Sequence, residues 1–363
     1  MAAGFTFALL LAAGAGATPS QDCIAAHAEA YRRQHAIPAL SLAIARDGHL
    51  RHASAHGHAD LAGDTPLTPQ HRLRIASVSK PLTALAVLRL VEDGALALDE
   101  RVFGHRGVLG ARHPIPPNNP RLARVTVRHL LEHSAGFGGW DADPMFAYPG
   151  DDPAELVDWV LRRWPLVDRP GARFRYANFG YFLLGRIVEA RSGQAYEDFV
   201  RERLLRPAGA AAMSVGRDGE AGRQPDEVQY ADAPASYRFV RPARLEAHGG
   251  WIATPGELLR VLAYLHGETE AAAPLRPATV RRMLRASAPD DPQGRPSHYG
   301  LGWEVTRTGH GHLGAMPGTL ALLFRRRDGL AYAALANRLP PDDVDGRALQ
   351  AMLEAAAAAC LRH

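Results

Sequence analysis

The chain has 363 residues, 47% hydrophobic and 22% charged, with a formal net charge of +4, an ordinary globular composition for one large or two interleaved domains. Basic residues are scattered among acids, and the longest basic block, Arg325-Arg326-Arg327, runs into Asp328-Gly329 between two apolar stretches. That is the pattern of a charged hairpin turn rather than of a nucleic-acid surface, so no nucleic-acid partner is expected.

The first 21 residues carry no charged side chain; Phe5 to Ala13 form a short apolar core, and Ala15-Gly16-Ala17 fits a small-x-small cleavage site before Thr18. Residues 1–17 therefore read as a secretory signal, which implies a periplasmic or secreted protein, although the segment lacks the usual Lys or Arg and a frayed apolar N-terminus is the other reading. No later run approaches the roughly 18 apolar residues of a membrane span. Cys23 and Cys360, the only cysteines, lie at opposite ends of the mature chain. In an exported protein they point to a disulfide joining the terminal helices; two buried free thiols are the alternative.

Asp22 to Gln34 has helical spacing, and a hairpin follows: a strand over 39–45, a turn at Asp47-Gly48, and a second strand over 50–56. Ser77 is expected to open a helix, because Pro81 is tolerated only in a first turn and Leu82, Leu85, Leu88 and Val91 recur until Asp93-Gly94. A Pro/Gly/Arg loop spans 101–125, and Thr126 caps a helix to His133. Helices are predicted over 152–164, 181–192, 196–205, 255–265 and 348–361, and strands over 300–305, 319–324 and 330–336. Residues 207–236, polar and rich in Gly and Pro, read as a long surface excursion. Strands at both ends with helices between predict an α/β layer (about 22–75 and 240–363) around a mainly helical insertion (about 76–239).

Lys80 is the only lysine: the other 41 of the 42 basic residues (42 − 1) are arginine. Arginine serves as a surface charge but cannot shed its proton, whereas a desolvated lysine can. Bringing a lysine from its usual pKa near 10.4 to ~7 takes roughly 4–5 kcal/mol of destabilisation of the ammonium. The one lysine stands three residues after Ser77, which suggests a serine nucleophile whose proton a neutral amine helps to take. The bland reading is a lone lysine on a helix.

Four segments in order then resemble the serine β-lactamase and penicillin-binding-protein fold, in its class C-like branch of β-lactamase-type esterases, D-aminopeptidases and D-Ala-D-Ala carboxypeptidases. They are Ile75-Ala76-Ser77-Val78-Ser79-Lys80, the stretch from Thr126 to Gly136, the stretch from Pro170 to Tyr181 that holds Tyr176-Ala177-Asn178, and Gly311-His312-Leu313-Gly314-Ala315. Gly249 to Thr254 and Tyr299 to Trp303 match as well, so the resemblance covers about 22–340. It implies an antiparallel sheet flanked by helices. It also implies a covalent acyl-enzyme on Ser77, with Lys80 and Tyr176 sharing proton transfer and the phenol held partly ionised. Asn178 would bind Lys80 and substrate. His312 and Gly314 would line the substrate strand, and the amides of Ser77 and Ala315 would hold the oxyanion.

No cofactor is implied. No metal is expected either, because the pairs His56/His58 and His310/His312 fit alternation on solvated strands. Trp140, Phe137, Trp251, Trp303 and Tyr299 are candidates for a pocket lining or for the core.

One departure matters. The family's third motif typically carries Lys-Thr-Gly or His-Thr-Gly, and its cation and hydroxyl hold a substrate carboxylate. Here it is His312-Leu313-Gly314, which offers no hydroxyl and at most a partial charge. A small-molecule ester is therefore the expected substrate. A D-amino-acid peptide or amide, or weak β-lactamase activity, comes next, and a non-catalytic penicillin-binding-like scaffold is the rival outside the enzymes.

Overall fold

In the computed structural model, residues 19–138, 143–150, 152–232, 235–238 and 240–361 are described. The signal-like residues 1–17 and Trp140 lie outside them. Twelve helices are seen among the described residues: α1 Pro19–Gln34, α2 Ser79–Glu92, α3 Val127–Leu131, α4 Pro144–Ala147, α5 Pro153–Arg163, α6 Asn178–Ser192, α7 Tyr196–Val200, α8 Ala235–Arg238, α9 Pro242–Gly249, α10 Pro255–Leu265, α11 Pro277–Met283 and α12 Arg347–Cys360. The strands are β1 Ala39–Arg46, β2 His49–Gly57, β3 Leu73–Arg74, β4 Ser214–Val215, β5 Trp251–Ala253, β6 Glu304–Val305, β7 Gly309–Met316, β8 Thr319–Arg326 and β9 Leu330–Ala336.

The six-stranded sheet has the order β2-β1-β9-β8-β7-β6, with every neighbouring pair antiparallel, so the expected helix-flanked antiparallel architecture holds. Its central strands are apolar on both faces because both faces are covered. On β1, Leu40, Leu42 and Ile44 pack under α1 and α12 with Ile24, Ala28, Leu349 and Leu353, while Ala39, Ala43 and Ala45 face the larger core. That larger core encloses α2, which is buried almost all round and therefore lacks a polar stripe. Its burial is what places Lys80 out of water. Among the described residues no helix is long and apolar enough to cross a membrane.

The predicted hairpins at Asp47-Gly48 and Asp328-Gly329 are present, and α10 has the predicted bounds, set by a capping box between Thr254 and Glu257. Two expectations fail. Residues 207–236 are not a surface excursion: Met213, Val215, Val228 and Tyr230 are buried, and the guanidinium of Arg72 ties the segment down through Ala212 O, Ser214 Oγ and Asp226. The strand predicted over 300–305 shrinks to β6, because Gly300 to Trp303 form a tight turn with Gly302 at φ +84°.

Cys23 on α1 and Cys360 on α12 are joined in a disulfide, their Cα atoms 5.7 Å apart. It closes a loop with a sequence separation of 337, for which the chain-entropy model gives about 6 kcal/mol as an upper bound. Replacing both cysteines by serine should therefore lower the urea midpoint, and added reductant should reproduce that loss in the parent chain while leaving the double variant unaffected.

Candidate active site

The turn before α2 is built by backbone constraint. Ala76 to Val78 form a short 3-10 turn, so α2 proper begins at Ser79 rather than at Ser77. Ala76 adopts φ +45°, a conformation that costs a residue with a Cβ of order 1 kcal/mol or more. The turn persists because β5 and β7 hold it: Ile75 N donates to Trp251 O, and Gly314 lies directly against it. A Cβ at Gly314 would come within 2.3 Å of Ile75 O and 3.1 Å of Ser77 N. Ser79 turns away and accepts from Trp251 N.

Lys80 is fully buried. Its Nζ lies 2.9 Å from Ser77 Oγ, 2.8 Å from Asn178 Oδ1 and 2.8 Å from His248 O. Burial pushes the ammonium pKa well below its ordinary value, and the charges of Asp143 and Glu304 only partly oppose this. The two carbonyl oxygens can only accept. A neutral amine therefore spends both N–H bonds on them and is left with its lone pair directed at Ser77. His248 O is presented by a kink in α9, where Glu246 has φ +26° and Gly250 admits no side chain.

Tyr176 is half-buried, hydrogen-bonds to Ser77 through its phenol, and has Lys80 Nζ 4.8 Å from its ring centroid. Burial raises its pKa well above 10, so the phenol is protonated at neutral pH, in contrast to the partly ionised phenol expected above. His133 sets its position. Its ring stacks on Tyr176 at 4.2 Å, its Nδ1 accepts from Ala177 N at 3.1 Å, and its carbonyl accepts from Arg175 N at 2.7 Å. Burial holds this imidazole neutral.

Asp143 is a site residue that sequence reasoning missed. Its carboxylate accepts from the amides of Met145, Asn178 and Phe179, capping the start of α6 and fixing Asn178 beside Lys80. The only hint in the sequence is an acid directly before Pro144, a capping pattern without periodic support.

His312, Gly314 and Ala315 reach the site on β7, but His312 offers nothing free. Its Nδ1 lies 2.6 Å from Leu313 O, to which it must donate; Nε2 is then unprotonated and accepts from Tyr299 OH at 3.0 Å. Burial lowers its pKa to about 3, so it supplies no cation. It sits on a buried strand, not a solvated one, and His310 pairs with His266 at 3.0 Å. Beside His312 stands Glu304, its Oε1 3.8 Å from Nδ1; this half-exposed carboxyl is raised to about 7 by surrounding protein. Of the other aromatic candidates, Phe137, Trp251 and Trp303 are core. Among the described residues, the one cluster with metal-ligand spacing is Cys23, His27 and Cys360, two of which are consumed by the disulfide.

A cavity of about 490 Å³ opens beside Ser77, lined also by Asn178, His248 and Ala315. A hydroxyl at the edge of a cavity, with a desolvated amine and a phenol in hydrogen-bond reach of it, supplies parts that acyl transfer needs. A family model described as Beta-lactamase matches residues 24–357.

The chain belongs to the beta-lactamase family. Members of this family are serine hydrolases. The chain is 34% identical to esterase EstB of Burkholderia gladioli over 197 residues, covering 50% of this chain and 47% of the esterase. It is 29% identical to penicillin-binding protein 4 of Amycolatopsis lactamdurans over 323 residues, covering 81% and 79%. The chain spans about half the length of several curated relatives it matches, EstB among them. In fold it is similar to D-amino acid amidase from Ochrobactrum anthropi SV3, with a TM-score of 0.73, 24% identity, and coverage of 93% and 98%.

If Gly314 holds the serine turn of this beta-lactamase-family chain in place, Gly314→Ala should slow phosphonylation by a fluorophosphonate roughly 100-fold, as expected for a displacement of about 1 Å. An unchanged far-ultraviolet spectrum would show that the fold is retained.

Proposed function

We propose that the chain is an esterase acting through a covalent acyl-enzyme. Ser77 Oγ attacks the ester carbonyl while its proton passes to the lone pair of Lys80. The amides of Ser77 and Ala315 hold the oxyanion. Collapse of the tetrahedral intermediate breaks the bond to the alkoxide, which takes up the proton held by the Lys80–Tyr176 pair. Water then repeats the sequence on the acyl-enzyme, with the same pair as acceptor and donor.

The observation that carries this reading is the placement of Lys80: a buried nitrogen 2.8 Å from each of two carbonyl oxygens and 2.9 Å from Ser77 Oγ. The preference for an ester over a penicillin or a terminal carboxylate rests on the third motif. His312 is neutral with both ring nitrogens taken, the Leu313 side chain has no donor, and the acid Glu304 stands 3.8 Å from the His312 ring. An anionic substrate would meet a carboxyl where relatives place a cation. Glu304 also favours a second reading, an amidase or D-amino-acid peptidase, because a carboxylate there suits a substrate amine.

Incubation with a fluorophosphonate should add one phosphonyl group to the parent chain and none to Ser77→Ala by intact mass, while a fluorescent penicillin labels neither. Labelling by the penicillin, or hydrolysis of D-alanine p-nitroanilide faster than of simple esters, would overturn the ester reading. Lys80→Arg should be as inactive as Lys80→Ala, a loss of at least about 10³ in kcat, because a guanidinium cannot accept the proton.

The pH dependence has a definite sign. The acceptor works unprotonated, so kcat/KM falls on the acid side. Because burial lowers the pKa of Lys80, that limb lies far below the ordinary lysine value. A kcat/KM that keeps climbing up to pH 10 would contradict a desolvated amine.

A further inference from the structure

We propose that the cavity beside Ser77 is an acyl-chain site and that the substrates are esters of uncharged, medium-length apolar acids. This rests on the esterase reading above and names its substrate class.

The walls of the cavity are carbon: Phe146, Val240, Leu245, Met316, Leu339 and Val344. Among the described residues that line it there is no Asp, Glu, Lys or Arg, and its one histidine, His248, is kept neutral by burial. Such a surface cannot repay the desolvation of a charged group, but it gains from every methylene removed from water. Its volume of about 490 Å³ is in the range of small-molecule sites and exceeds what an acetyl group needs.

The rim is unusual as well. Only five large apolar side chains are strongly exposed among the described residues, and two of them, Phe146 (63%) and Val344 (52%), flank this cavity. Phe146 is held there by construction. Arg244 donates to the carbonyls of Met145, Tyr148 and Gly150, fixing the turn that carries the ring. A solvent-facing phenylalanine braced by three hydrogen bonds is a wall waiting for an apolar group.

The chemistry assigns the cavity to the acyl side. The leaving alkoxide must be protonated by the Lys80–Tyr176 pair, so it departs next to that pair. Neither residue lines the cavity, whereas Ser77 and Ala315, which bracket the carbonyl, both do. The group bonded to the carbonyl carbon is then the one directed along the apolar walls.

The test is a p-nitrophenyl ester series on the full chain, from acetate to decanoate, with mono-p-nitrophenyl glutarate as the charged counterpart of the pentanoate. Each methylene in contact is worth about fourfold. We expect kcat/KM to climb roughly 100-fold or more from acetate to a maximum near octanoate, and the glutarate to be at least about 10-fold slower than the pentanoate. Val344→Asp, at an exposed position where folding is not at stake, should cut the octanoate-to-acetate ratio at least about 10-fold; Phe146→Ala should lower it in the same direction. A flat or acetate-peaked series, or equal rates for glutarate and pentanoate, would overturn the acyl-chain site while leaving the esterase reading standing. Absence of both hydrolysis and a Ser77 adduct would sink the two together.

Discussion

The site depends on an amine kept dry. Lys80 could remain an ordinary ammonium only if water or a committed carboxylate reached it, and neither does. It lies on a helix packed on nearly all sides, under the rings of Tyr176 and Tyr181, with two carbonyl oxygens and Ser77 as its polar neighbours. Desolvation costs the ammonium far more than it costs the amine, and the same burial keeps the neighbouring phenol protonated. Serine and a protonated phenol thus meet an amine whose charged form burial disfavours. A proton can move among them without first being pulled from a bulk-solvated charge.

That arrangement needs backbone placed where backbone does not readily go. Ala76 at φ +45°, His133 at +53° and Glu246 at +26° are side-chain-bearing residues in the left-handed region or near its edge, and all three adjoin the site. Each orients something specific. Ala76 turns Ser77 toward β7, His133 presents its carbonyl and ring to the Tyr176 segment, and the kink at Glu246 aims His248 O at Lys80. Strain of this kind is sustained only by surrounding structure that over-determines it. The contacts of β5 and β7 with the serine turn, with no room for a side chain on Gly314, are that structure.

What was legible in the sequence follows from what leaves a period or a turn signature. The long apolar strands, the two Asp-Gly hairpins and α10 with its Thr254/Glu257 cap were readable because local chemistry alone specifies them. Ser77 and Lys80 stood out because lysine is otherwise absent. By contrast, β3, β4 and β5 are two or three residues long, too short to show alternation, and exist because tertiary contacts such as the Arg72 clamp bring 207–236 inward. Asp143 and Glu304 were invisible for a different reason. An isolated acid in a loop or on an edge strand reads as surface, and only the fold turns it toward a buried amine.

Those two acids raise the last physical question, since carboxylates near Lys80 ought to hold its proton. Each is muted in its own way. Asp143 spends its oxygens on the amides of Asn178 and Phe179 at the start of α6, where the positive end of the helix dipole already balances its charge, and on the amide of Met145 in α4. Glu304 is raised to about 7, so near neutrality a substantial fraction of it carries no charge at all. Neither acid therefore attracts the ammonium strongly enough to overcome desolvation. The same weak field that would leave Lys80 free to accept a proton in the proposed mechanism gives an anionic substrate no cation to bind. A dry amine and a cavity without charged side chains among its described residues are two consequences of one electrostatic arrangement, and they are what the proposal of an apolar ester, over the carboxylate-bearing substrates of a Lys-Thr-Gly strand, rests on.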